Sequence, residues 1–137
     1  MVNERYPKSG VAHSAITLES TNTESAVISM SDYNCLTIEA SYALGAAEAD
    51  NTLNISLLAN TDGGSTYRTW SVLSPSSGTV SVYNASYDLA GAAAGTTYTC
   101  IFTIKDISVK GLKIAVKETG VAANKGTVTV NYRQSCS

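Results

Sequence analysis

The single histidine, His13, limits what this chain can catalyse. A metal centre built on several imidazoles is excluded, and a Ser-His-Asp relay would have to use a residue in a polar leader ahead of the first apolar pattern. Paired carboxylates for glycoside hydrolysis could be drawn from Glu19, Glu39, Asp62, Asp88 or Asp106. No spacing singles out one pair, so all five are expected as solvated strand and turn carboxylates. Gly63-Gly64 lacks the helix that a phosphate cradle needs behind it, and Asn60 with Asp62 is too short a ligand set for calcium. The expectation is a protein that is not an enzyme and carries no cofactor and no metal.

The cysteines and aromatic residues are more informative. Cys35 and Cys100 fall inside apolar runs and are expected in the core, whereas Cys136 is expected as a free thiol near the end of the chain. Eight Tyr and one Trp stand against one Phe, so nearly every aromatic surface ends in a polar atom. Tyr67, Trp70, Tyr83 and Tyr87 lie on consecutive strand patterns and could form a platform for a sugar ring or fill a pocket in a partner. Trp70 is expected in the core. Tyr6, Tyr67, Tyr83 and Tyr87 are the aromatic interface candidates, tyrosine being favoured at protein contacts. Lys110, Lys113 and Lys117 alternate with apolar residues as on the wet face of a strand and join them as interface candidates.

Charge is sparse and unevenly placed. Charged residues are 15% of the chain, against about 25% in ordinary proteins. Residues 1–68 hold three basic and eight acidic groups, a balance of −5, and the remainder balances at +3. Either opposite potentials sit on two faces, or strands from the two halves interleave and the surface averages out. A sequence pI of about 5.2 argues against nucleic acid as a partner. At 44% hydrophobic the chain is too apolar to be disordered, and its longest apolar run is far below the ~18 residues of a membrane span. The opening residues carry no secretory pattern, so synthesis in a cytoplasm is expected.

Alternation with a period of two dominates the elements that would position these groups. Leu36, Ile38, Ala40 and Tyr42 alternate with polar residues, as do Leu53, Ile55, Leu57 and Ala59. Strands are also expected at 66–73, 79–83, 112–116 and 127–132, with weaker ones at 15–18 and 26–30. The 96–104 run is the densest and is expected to be a central strand. Thr61–Gly64, Ser74–Gly78 and Val121–Gly126 read as turns. The Ala-rich 44–51 and 88–95 segments could each hold a helical turn, although Gly91 and Gly95 favour a loop in the second. About eight short strands in one domain describe an all-β antiparallel β-sandwich, jelly-roll-like, over 13–137, preceded by an N-terminal arm over 1–12. An immunoglobulin-like sandwich fits less well, because too many strands separate Cys35 from Cys100.

Three phrases carry a resemblance over about three quarters of the chain: Ser31-Asp32-Tyr33; Leu58-Ala59-Asn60-Thr61-Asp62-Gly63-Gly64 followed by Trp70; and Val116-Lys117-Glu118-Thr119-Gly120 with Gly126-Thr127-Val128-Thr129-Val130. They resemble the small virion proteins of tailed bacteriophages, β-sandwich proteins that decorate (cement) the capsid or sit in the tail. The resemblance implies a virion component made in the bacterial host cytoplasm. Its partners would be the major capsid protein or other virion proteins and further copies of itself, often as a trimer, with no membrane and no nucleic acid partner. It brings no catalytic residues. The alternative is a carbohydrate- or receptor-binding module of a phage tail, with Tyr67, Tyr83 and Tyr87 as its platform.

Overall fold

The fold is seen in a computed structural model that describes residues 6–136. Twelve strands run along it, named here in chain order: β1 (Lys8–Thr17), β2 (Thr23–Glu24), β3 (Ile28–Ser29), β4 (Cys35–Ala43), β5 (Thr52–Asn60), β6 (Arg68–Thr69), β7 (Ser71–Ser76), β8 (Thr79–Asn84), β9 (Tyr87–Ala90), β10 (Thr97–Ile104), β11 (Gly111–Thr119) and β12 (Thr127–Ser135). No helix occurs among the described residues, and the Leu44–Asn51 segment turns through Ala47 and Asp50 at positive φ. The helical turn that its alanines allowed is absent.

Every pairing is antiparallel; ten of the twelve strands fill eight lanes in two sheets, and β7 and β8 pair with each other as a separate two-stranded ribbon. The first sheet runs β1-β12-β4-β10. In the second, β2 and β3 lie end to end along one side of β11, β5 pairs its other side, and β6 and β9 lie end to end along β5. Counted by lane, the first sheet reads one, eight, three, six and the second reads two, seven, four, five. That order is a jelly roll. The eight expected strands are therefore eight lanes, several of them broken.

The alternating residues build the core as their period requires. Leu36, Ile38, Ala40 and Tyr42 of β4 with Val128 and Val130 of β12 face Leu53, Ile55 and Leu57 of β5 and Leu112, Ile114 and Val116 of β11. Each such side chain contributes on the order of 1.5–3 kcal/mol by leaving water. Where the second lane breaks between β2 and β3, the exposed ladder groups of Ile114 are met by Ser25, whose N–H donates to Ile114 O and whose Oγ accepts from Ile114 N, both at 2.9 Å. His13 Nε2 reaches the same carbonyl at 2.8 Å from the opposite sheet.

Two expectations change. The 96–104 run is not central: β10 is an edge strand, with Tyr98, Cys100, Phe102 and Ile104 turned half-buried toward the core and Ile101 outward in water. Its density reflects aromatic residues closing the side of the sandwich. His13 is not on a leader but buried inside β1, which passes without interruption through the expected 12/13 boundary. Of the expected arm, residues 1–5 lie outside the described residues, and 8–12 are the first half of β1, the other edge strand of that sheet. Of the two readings of the charge split, the fold favours interleaved strands, with the acidic and basic halves meeting at Lys113–Glu24 (3.3 Å) and Lys125–Glu19 (2.5 Å).

Candidate functional site

The most exposed apolar surface is a hairpin. Between β6 and β9 the chain leaves the edge lane of the second sheet, runs out along β7, turns at Ser77-Gly78 and returns along β8. Both turn residues have positive φ, 47° and 80°, the conformation that matches the twist of a two-residue hairpin and that glycine adopts without strain. The turn is thus tighter than the Ser74–Gly78 loop read from the sequence. At the root, Trp70 N donates to Leu57 O (2.7 Å) and Ala85 N to Trp70 O (2.9 Å). The pairing register puts Leu73, Pro75, Val80 and Val82 on one face. All four are exposed, Leu73 at 69%, Val80 at 59% and Val82 at 65%. Val72 and Tyr83, paired on the other face, are exposed as well. No residue from 69 to 87 is charged. An isolated two-stranded ribbon is marginal in water, and an uncharged apolar one marks a contact site.

A second surface is the outer face of the first sheet. Ser, Thr and Asn side chains cover it, among them Thr37 and Thr103, whose hydroxyls lie 2.8 Å apart. Two apolar side chains break that polarity, Val11 of β1 (60% exposed) and Ile101 of β10 (68%). They flank a groove of about 510 Å³ that also meets Ser9, Thr37 and Asn131, with Glu39 and Arg133 beside them.

The sequence-predicted residues are dispersed. Tyr67 and Lys113 come together on the outer face of the second sheet, the ammonium 4.5 Å from the ring centre and bridged to Glu24. Lys117 follows on the same face of β11, and Lys110 immediately precedes the strand. Tyr83 is on the hairpin. Tyr87 turns inward and stacks on Phe102 of the first sheet (4.8 Å, 21°), and burial pushes its hydroxyl pKa up. Tyr6 is exposed, and its carbonyl accepts a hydrogen bond from Tyr33 at 3.0 Å. The tyrosines therefore do not share a platform. Trp70 packs half-buried against the core and forms one wall of a cleft of about 380 Å³ shared with Asp62, Arg68 and Val109.

Four of the five carboxylates weighed for chemistry make polar contacts within the fold, and Asp106 is exposed. Asp62 caps the turn at Gly64 N (2.9 Å), Asp88 accepts from Asn54 (2.6 Å) and Ser86 (2.5 Å), Glu39 accepts from Asn131 (3.5 Å), and Glu19 pairs with Lys125. Glu48 was invisible in the sequence and is the most strongly held. It is buried, and its carboxylate accepts from the backbone of Asn124 (2.5 Å), Ala123 (2.6 Å) and Ala122 (3.1 Å) and from Asn51 (3.2 Å). Those amide donors lower its pKa from 4.5 to about 2. Glu118, in phase with the buried side of β11, accepts from Tyr42 Oη (2.5 Å) and Gly126 N (2.8 Å). Burial first, and the Glu118 carboxylate second, raise the Tyr42 pKa far above its ordinary value, so it remains a donor. Among the described residues no three His, Cys, Asp or Glu converge as a metal site requires.

With this geometry in view, solved structures give a match in fold. No family model matches the chain, and no curated protein matches its sequence. A chain in the structure of infectious bursal disease virus, Gx strain, superposes with a TM-score of 0.56 at 12% identity over 96% of this chain, and the Gt strain does so with 0.56 at 11% over 96%. This chain spans about a third (32%) of the length of each of those viral chains. The SPBc2 prophage-derived protein YomS aligns over 98% of both chains at 13% identity with a TM-score of 0.46. The fold is thus an antiparallel β-sandwich of the kind found in a virus structure.

Sequence reasoning placed Tyr83 among the interface residues but missed its neighbours Leu73, Val80 and Val82. The signal available was the absence of charge from 69 to 87, in a chain whose other strands carry charged residues nearby.

Proposed function

We propose that the protein is a non-enzymatic structural component of a virus particle, a decoration (cement) protein that binds the assembled head and stabilises it. One observation carries the reading: a jelly roll extends an uncharged apolar hairpin into water, and a surface of that kind needs a protein to cover it. Support comes from the fold shared with a chain of a virus structure and from the resemblance to small phage virion proteins. In this reading the hairpin makes the apolar contact with major capsid protein and supplies affinity, while Lys110, Lys113, Lys117 and Tyr67 on the outer face of the second sheet orient docking. Repetition over a symmetric shell multiplies modest single contacts.

The test is co-sedimentation of purified protein with heads of the encoding virus stripped of it. The wild type is expected to pellet with the heads and raise their thermal disruption temperature. Lys113→Glu with Lys117→Glu is expected to stay in solution while keeping the fold. Wild-type protein that remains in the supernatant at saturating head concentration contradicts the reading.

A receptor- or carbohydrate-binding role has one observation in its favour, the cleft in which Asp62 and Arg68 stand beside Trp70. Glycan-array binding abolished by Arg68→Ala would establish it. Binding that survives the substitution, or no binding at all, removes it.

A further inference from the structure

The two edges of the β7–β8 ribbon differ. In an antiparallel pair, residues whose N–H and C=O bond across the pair alternate with residues whose N–H and C=O point away from it. A two-residue turn closes on a bonded pair, here Ser76 and Thr79, so Ser74–Ser81 and Val72–Tyr83 are bonded as well. The root agrees, since Ala85 N donates to Trp70 O in the same phase. Ser71, Leu73 and Pro75 of β7 and Val80, Val82 and Asn84 of β8 therefore turn their backbone groups outward. On β7 the series is broken, because Pro75 has no N–H to offer. On β8 it is complete, and among the described residues no strand but β7 pairs with it.

We infer that the free edge of β8 receives an extended segment of the major capsid protein as a third strand. The segment matches the Val80–Asn84 span in length, is uncharged and is apolar at alternate positions. The inference rests on the particle reading above and deepens it, naming what the hairpin takes hold of.

Strand addition supplies what the hairpin lacks. A two-stranded ribbon is marginal in water, and a third strand is the least that makes such a sheet stable. Laid flat, a ribbon of six-residue strands covers roughly 20 by 10 Å, about a quarter of the ~800 Å² that each partner of a stable interface buries. Face contact alone therefore holds it weakly. An added strand brings main-chain hydrogen bonds, which give the affinity in recognition of this kind. The side chains set the sequence of the guest. Val80 and Val82, with Leu73 and Pro75 beside them, form an exposed apolar face, so guest residues that continue that face must be apolar. No residue from 69 to 87 is charged, so a charged guest residue on that face would be left without a partner. Each contact is modest, and repetition over a symmetric shell multiplies it.

Hydrogen exchange resolved residue by residue, on the protein free and bound to stripped heads of the encoding virus, tests the inference without a substitution. The amides of Val80, Val82 and Asn84 are expected to slow about tenfold or more on binding, while that of Leu73, on the blocked edge, keeps its free rate. Two variants give an independent reading. Val82→Pro removes an outward donor from β8 and Leu73→Pro removes one from β7; neither takes away a β7–β8 bond, and both keep an apolar side chain. With far-ultraviolet circular dichroism unchanged, Val82→Pro is expected to bind heads about tenfold or more weakly than the wild type, and Leu73→Pro within about twofold of it. Equal protection of Leu73 and Val82, protection of neither, or Val82→Pro protein that pellets like the wild type overturns the strand addition and leaves the particle role standing. A wild type that is dimeric in solution, with the dimer lost in Val82→Pro, assigns the edge to a second copy and overturns it too. A wild type that never pellets overturns the particle role and with it the capsid partner.

Discussion

Tyr42→Phe removes one oxygen from the centre of the sandwich. Tyr42 is fully buried, and its hydroxyl donates at 2.5 Å to Glu118 Oε2, itself buried, while Oε1 of the same carboxylate takes Gly126 N at 2.8 Å. This links the end of β4 to β11 and to the turn before β12, so three lanes meet at one carboxylate. A hydrogen bond to a charged group contributes about 1.5–3 kcal/mol, and the abandoned oxygen has no water to replace its donor. The expected loss is about 2–4 kcal/mol. Domains of this size are stable by roughly 7–20 kcal/mol, so the effect is large, on the order of 10 °C in melting temperature. Urea denaturation should show a lower midpoint at an unchanged slope, because the folded surface stays the same. Glu118→Gln keeps an acceptor in place and should cost about 1 kcal/mol. The double variant should lose less than the two single losses added together, the mark of direct coupling. A Tyr42→Phe protein within 0.5 kcal/mol of wild type would show that the contact does not stabilise the fold and refute the reasoning.

Glu48 gives a pH dependence. Its folded pKa of about 2 lies below the ordinary 4.5, so the stability it contributes is present above pH 4.5 and is lost as pH falls toward 2. Thermal melts from pH 6 to 2 should show a drop in that window that Glu48→Gln, already destabilised at pH 6, no longer shows. Gly126→Ala would place a Cβ 2.6 Å from both Ala43 O and Glu118 Oε2, and calorimetry should record a loss of about 1–3 kcal/mol. Iodoacetamide at pH 7.5 should label Cys136 quickly and Cys100 slowly, since burial raises the Cys100 thiol pKa, and should reach Cys35 only on unfolding. Labelling of all three at one rate contradicts the packing. Leu73→Asp, mostly in water, should change monomer stability by no more than about 0.5 kcal/mol by chemical denaturation.

The strands of the core were legible because burial on one face forces alternation, and Leu36–Tyr42 and Leu53–Leu57 alternate without a break. Even Glu118 could be read as inward-facing from its phase with Leu112, Ile114 and Val116. β1 was less legible, since bulges between Val11 and His13 and between His13 and Ile16 shift the phase that periodicity depends on. β10 was misplaced because apolar density measures how much a strand buries, and an edge strand with aromatic residues turned inward buries as much as a central one. The lane carrying the hairpin was hidden for another reason. β6 and β9 are two and four residues long, and only their shared partner β5, distant in sequence, makes them one lane. The exposure of Leu73, Val80 and Val82 follows from that excursion and from no local pattern.

The central claim is that this jelly roll serves assembly on a particle. The most direct measurement is co-sedimentation with stripped heads of the encoding virus, wild type beside Leu73→Asp with Val82→Asp. The account predicts saturable binding of the wild type at a fixed number of copies per head and at least tenfold weaker binding of the hairpin variant. Equal binding of both proteins, or none by the wild type, would contradict it.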